Sequence, residues 1–211
     1  VNVAKERQRD KRGEGPRDPD ARWGTKRQYT VTDKDGGSSK RRRTFYGYKD
    51  HVSFNVGAQM ITGVIVTPGN AYDGHYLIPL LKSDLAQGIP VEVCAADRGY
   101  DDTENHYWLQ QRGIGDAIHL SWHRTKKKDA NKEVWFRLKA QPWYRPALRE
   151  RYQIERKFGE AKKHHGLGRC RYLRWERRVV QAHLTAIALN LKQWVRSLTG
   201  VSLRGPSLIR T

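Results

Sequence analysis

The stretch Val91-Glu92-Val93-Cys94-Ala95-Ala96-Asp97-Arg98-Gly99-Tyr100-Asp101 decides how this chain is read. Residues 91–96 form a short apolar run, the pattern of a central strand buried on both faces. Gly88-Ile89-Pro90 turns the chain into it, and Asp97 stands at its carboxyl end. In an open α/β sheet the carboxyl ends of buried strands face the crevice where ligands bind. Asp97 is therefore a candidate metal-ligating carboxylate, with Gly99 allowing a sharp turn behind it. A carboxylate at this place can equally cap a turn or helix, and Asp101 and Asp102 compete for that role.

Outward from this strand, residues 45–55 and 60–67 mix β-branched and aromatic residues, and Val56-Gly57-Ala58-Gln59 suits a turn between them. They predict a hairpin, stopped by Pro68-Gly69-Asn70. Asp73 is placed to cap a helix reaching Leu85, which Pro79 weakens or kinks. Beyond Asp102 a helix is expected to about Arg112, ended by Gly113, and residues 117–120 read as a further strand. The order hairpin, helix, strand, helix, strand predicts an α/β core with a mixed sheet. Helix resumes over 147–164. A last helix over 176–198 carries an apolar stripe of Val179, Val180, Leu184, Ile187, Ala188, Leu191 and Trp194, with Trp194 expected in the core.

The flanks differ in character. Residues 1–44 are polar and include Lys40-Arg41-Arg42-Arg43, which predicts a basic, largely irregular arm. Residues 121–143 read as an irregular basic insertion holding Lys126, Lys127 and Lys128, and 199–211 as a tail. Trp122, Trp135 and Trp143 in the insertion could stack on bases or anchor the loop to the fold, the second being the commoner use. His164-His165 reads as a helix end, because no second ligand pair has zinc spacing.

Lys and Arg number 41 against 22 acidic residues, a formal charge of +19. Such an excess is costly to hold in a compact fold unless a polyanion shares the surface, and nucleic acid rewards clustered cations by counterion release. A ribosome-associated basic protein would share this composition. Two cysteines, Cys94 and Cys170, exclude a disulfide framework. No run of about 18 apolar residues occurs, so a membrane span is not expected and a cytoplasmic, nucleoid-associated protein is.

A second constellation lies in Arg151-Tyr152-Gln153-Ile154-Glu155, continuing to Lys162. Steps of four and seven residues keep Arg151, Glu155 and Lys162 on one helix face, beside a stripe of Ile154, Phe158 and Ala161. Alone this is an ordinary ion pair on a solvated helix. Together with Ala96-Asp97-Arg98-Gly99-Tyr100-Asp101, it resembles the blocks around the second aspartate and the glutamate of insertion-sequence DDE transposases. Arg151, Glu155 and Lys162 match the Y-x2-R-x3-E-x6-K signature of those families, with Leu148 at the tyrosine position. Tyr46-Gly47-Tyr48-Lys49, Val66-Thr67-Pro68-Gly69-Asn70, His165-Gly166-Leu167 and Leu189-Asn190-Leu191 extend the likeness over residues 18–198.

The resemblance implies an RNase H-like mixed sheet flanked by helices, with Mg²⁺, or Mn²⁺ in its place, held by two aspartates and a glutamate. Asp97 and Glu155 would be ligands. Arg151, Lys162, Arg98, Lys126, Lys127 and Lys128 would contact DNA, and the working form on DNA would be a homodimer. The family's first aspartate sits in a block resembling "DGT", which does not occur here. The first strand and its aspartate are therefore expected upstream of Val1, leaving unpaired sheet edges and a chain inactive or weakly active by itself. Asp20 and Asp73 are the in-chain substitutes, though Asp20 also suits a turn and Asp73 a helix cap. A non-catalytic DNA-binding remnant of a transposase is the alternative function.

Overall fold

The computed structural model describes residues 3–32, 37–121, 132–168 and 172–200. Trp122, Lys126, Lys127, Lys128 and Cys170 lie outside them. Helix α1 (Val3–Lys11) leads to strands β1 (Arg22–Thr32), β2 (Ser38–Asn55) and β3 (Met60–Pro68). A 3-10 turn opens α2 (Leu77–Ala86), and β4 (Val93–Ala96), α3 (Thr103–Gln111) and β5 (Gly115–Ile118) follow. The remainder is helical: α4 (Lys132–Ala140), α5 (Tyr144–Glu150), α6 (Tyr152–His164) and α7 (Trp175–Thr199).

The α/β class is as expected, but the strands form two sheets instead of one. β1-β2-β3 is antiparallel and β4–β5 is a separate parallel pair. Tyr48 to Asn55 pair with β3 only, and β4 pairs with β5 only. Between β2 and β4 runs an open cleft of about 1140 Å³, lined by Val52, Phe54, Val91, Cys94, Ala96 and their neighbours. Among the described residues no strand crosses it, which is why the sheet is divided.

The main core lies where α2 and α3 cover the parallel pair: Leu77, Leu81, Cys94, Ala96, Leu109, Ile114 and Ile118. Burial pushes the Cys94 thiol up to about 12, so it serves as a small apolar side chain. Pro79 falls in the first turn of α2, where its missing N–H costs no helix bond. Asp102 caps α3 through the Glu104 amide at 2.9 Å, and Gly113 leaves that helix at φ +64°.

The irregular arm expected over 1–44 instead holds a helix, α1, and a strand, β1, paired with the start of β2. Asp18 is the reason, because this 1% exposed residue ties the segment to the body. Its carboxylate accepts the Tyr48 hydroxyl at 2.9 and 3.0 Å and the Arg174 amide at 3.2 Å. Its carbonyl accepts the Tyr46 hydroxyl at 2.8 Å. The insertion is likewise not irregular throughout, since α4 occupies 132–140. Trp135 is buried there against His106, with ring centroids 4.9 Å apart, and so anchors the loop.

The stripe on α7 faces the other way from the one expected. Ala182, Thr185, Ala186 and Leu189 are buried, whereas Val180, Leu184, Ile187, Leu191 and Trp194 are each more than half exposed. Small residues let the helix lie close to β3, and Asn190 then bonds both the N–H and the C=O of Ile61, at 2.8 and 2.7 Å. Arg178 forms a buried ion pair with Asp50, whose pKa burial raises against the pull of that guanidinium. Trp194 is therefore not a core residue among those described.

Candidate active site

β4 delivers Asp97 to the carboxyl end of the parallel pair, and α6 brings Glu155 to the same place. One atom joins them. Nη1 of Arg151 lies 3.2 Å from Asp97 Oδ1 and 2.9 Å from Glu155 Oε1. Arg151 stands at the junction of α5 and α6, whose backbone stays helical there, so the expected i, i+4 relation to Glu155 holds. The two carboxylates are 62% and 59% exposed and the arginine 27%, so solvent reaches the site. Two carboxylates converging on one cationic nitrogen are an oxygen donor set of the kind hard divalent ions select. Among the described residues no third Asp, Glu, His or Cys joins them in a metal-binding cluster.

Lys162 is exposed, lies over the Phe158 ring at 5.6 Å and lines the same cleft as Asp97 and Arg151. Arg98 is exposed beside His119, its guanidinium 3.3 Å from Nε2. The two in-chain substitutes for the absent aspartate are otherwise engaged. Asp20 accepts the Trp175 amide at 3.1 Å, at the start of α7. Asp73 is not the helix cap expected: it pairs with Lys49 at 2.7 Å and lies on Gly99. A Cβ on Gly99 would stand 2.7 Å from the Asp73 carboxylate, so this glycine is needed for close approach and not for an unusual φ.

The loop carrying Asp97 is held from three sides. Tyr100 donates to or accepts from His51 Nδ1 at 2.9 Å, and His51 Nε2 reaches Thr67 at 3.0 Å, which ties the loop to β2 and β3 across the divided sheet. Burial raises the Tyr100 pKa and lowers that of His51, so both stay neutral. Below the loop, His106 lies between two carboxylates, Asp116 at 2.5 Å and Asp101 at 2.9 Å. Burial works against its charge, but the hydrogen bonds it donates to Asp101 and Asp116 outweigh this and its pKa is raised. Asp101 in turn accepts the Ser121 amide at 2.6 Å.

Sequence reasoning passed over His119. It follows β5 as Asp97 follows β4, and its amide bonds the Ala96 carbonyl at 2.9 Å. Burial, Arg98 and Arg151 lower its imidazole pKa against the opposing pull of Asp97. Ligand groups gather at the carboxyl ends of parallel strands, and that rule finds His119 once β4 and β5 are known to be parallel neighbours.

The family model described as "Transposase DDE domain" matches residues 11–191. The transposase for insertion sequence element IS1106 of Neisseria meningitidis serogroup B is 30% identical over 161 residues, covering 75% of this chain and 51% of that protein. The chain thus spans about half the length of the curated relative it matches. No solved structure matches it. With the family model spanning nearly the whole described chain, and the blocks around Asp97 and Glu155 meeting at Arg151, this chain belongs to the DDE transposase family.

Proposed function

We propose that this chain is the larger part of a transposase catalytic domain that cuts DNA at insertion-sequence ends and joins the freed 3′ ends to target DNA. The observation that carries the reading is the shared contact of Asp97 and Glu155 with one nitrogen of Arg151. Asp97 and Glu155 would hold Mg²⁺, or Mn²⁺ in its place. When bound, such an ion activates an attacking water or 3′-hydroxyl and stabilises the leaving oxygen of an in-line displacement. Arg151, released from the carboxylates, and Lys162 on the next turns of α6 would grip the phosphates flanking the scissile bond. Arg98 would extend that basic surface, and Lys126, Lys127 and Lys128, outside the described residues, are proposed as DNA contacts from their charge alone.

The fold proposed for the working enzyme is RNase H-like. An extended strand seated in the cleft between β2 and β4 would pair with both unpaired edges and join the two sheets into one. Its carboxyl end would lie beside Asp97, where a third carboxylate is wanted. Two copies on DNA are the proposed assembly, and the exposed apolar face of α7 supports it. By themselves these 211 residues are expected to be inactive or nearly so. The lack of a third carboxylate near Arg151 among the described residues also favours the alternative, a DNA-binding remnant without catalysis.

Mn²⁺ binding followed by electron paramagnetic resonance, alongside nicking of supercoiled plasmid, separates these readings. The expected result is weak Mn²⁺ binding that Asp97→Ala and Glu155→Ala each abolish, with no nicking above background. Binding indifferent to both substitutions would sink the metal assignment. Nicking that disappears in Asp97→Ala would instead place a full ligand set inside the chain, with Asp73 promoted.

A further inference from the structure

β1 and the first half of β2 form a two-stranded ribbon of ten cross-strand pairs, from Arg22 opposite Gly47 to Thr32 opposite Ser38. At about 3.3 Å per residue it is roughly 30 Å long. Its inner end is anchored by Trp23 against Tyr46, ring centroids 5.2 Å apart, and by Arg7 of α1 on Thr44 at 2.7 Å. Beyond the bulge between Thr25 and Arg27 the ribbon becomes largely polar and open to solvent. Thr30, Thr32, Ser38, Arg41, Arg42 and Arg43 are all exposed.

Its paired residues carry charge of one sign only, whereas the segment joining the strands holds Asp33 and Asp35 beside Lys34. The paired residues include Arg22, Arg27 and Lys40-Arg41-Arg42-Arg43, with Lys26 at the bulge and no acidic residue. Among the described residues no carboxylate pairs with Arg41, Arg42 or Arg43. The backbone register sets Arg42 opposite Gln28 and Arg41 opposite Tyr29, so neither is matched with an acidic residue across the ladder.

From this we infer that the ribbon is a duplex-DNA-binding element separate from the metal site, its arginines neutralised by backbone phosphates. A two-stranded ribbon fits the major groove of B-form DNA, about 12 Å wide, with strands alternating their side chains between the two walls. Arg41 and Arg43 share one face of the strand and Arg42 takes the other, by its two-residue period, so both walls are addressed. The deep, narrow major groove of double-stranded RNA would not admit it. This role does not depend on catalysis: it stands even if Asp97 and Glu155 hold no metal.

The test is fluorescence anisotropy of the full 211-residue chain on a short DNA duplex across a salt series. The variants are Arg41→Ala/Arg42→Ala/Arg43→Ala and a charge-matched control, Lys82→Ala/Arg137→Ala/Arg196→Ala. Each phosphate contact contributes about 0.9 to the slope of log affinity against log salt. The ribbon variant should therefore lose roughly two to three from that slope, and bind at least about tenfold more weakly at moderate salt. The control should lose much less, and an RNA duplex of the same sequence should bind more weakly than the DNA and distinguish the two variants little. Equal losses in the two variants would mean diffuse attraction to a basic protein and would overturn the proposal. So would RNA bound as tightly as DNA. Thermal melting checks folding. Should the alanine variant fail to fold, an Arg→Gln triple at the same positions keeps side-chain length on the strand, and it must show the same loss of slope.

Discussion

Arg151 does with one nitrogen what a bound cation would do: it lets two carboxylates from distant parts of the chain sit side by side. Since Asp97 and Glu155 are mostly exposed, these pairs contribute at most about 1 kcal/mol to folding, and their value is positional. His106 is the opposite case, a buried imidazole clamped by Asp101 at the entry to α3 and by Asp116 on β5, with Trp135 of α4 against its ring. Its raised pKa means the folded state holds the proton more tightly than the unfolded chain. The stabilisation is fully present below the unfolded value of about 6.5 and is lost as pH rises through the higher folded value. His106→Gln should therefore lower the melting temperature most at about pH 6, with the gap to the parent chain narrowing towards about pH 9. A gap that widens with pH would show that His106 is neutral in the fold. The motifs around Asp97 and Glu155 were legible because each is local, one at a strand end and one on a single helix face. The clamp on His106 and the position of His119 were not, because both depend on β5 lying parallel to β4, which no local pattern encodes.

Elements were legible where their signals were local and obscure where a face had to be chosen. The hairpin of β2 and β3, the cap of α3 by Asp102 and the bounds of α7 all follow from turn residues, caps and periodicity. The ribbon did not, because little in its outer half is apolar. It is held by cross-strand bonds and by Asp18 at its base. α7 shows the limit of amphipathic reasoning, since the helix has two faces that can bury. The small one, Ala182 and Ala186, is taken by β3, leaving Val180, Leu184, Ile187, Leu191, Trp194 and Leu198 outward at alternating steps of four and three. That spacing is a coiled-coil seam, and the 13 residues 179–191 carry no Asp, Glu, Lys or Arg to oppose pairing. Sedimentation of the chain should show concentration-dependent dimers, and Leu184→Glu/Leu191→Glu should sediment as a monomer with an unchanged far-ultraviolet spectrum. A parent chain that is monomeric at high concentration would remove this face as the dimer contact.

At the scale of the molecule the chain is two packed halves bordering one cleft. α7 and the antiparallel strands form one half, and the parallel pair with α2 and α3 forms the other. The halves are joined by α2, which packs on β2 and β3, and by polar contacts, among them His51 to Tyr100 and Lys49 to Asp73. The overall α/β class was legible, but the division into two sheets was not, because it depends on which strand edges meet. Charge is divided as well, with a basic ribbon on one side and Asp97, joined to Glu155 through Arg151, on the cleft. In the described residues no helix is long and apolar enough to cross a membrane. The proposed function rests above all on Asp97 and Glu155, far apart in sequence, which meet at one nitrogen of Arg151. Fe²⁺ in place of Mg²⁺, with ascorbate and peroxide, cuts a polypeptide chain next to the bound ion, and the fragments can be mapped by mass spectrometry. Cuts clustered next to Asp97 and Glu155 together, suppressed by excess Mg²⁺, are the expected result. Cuts at only one of the two, or around Asp73 and Asp101 instead, would contradict it.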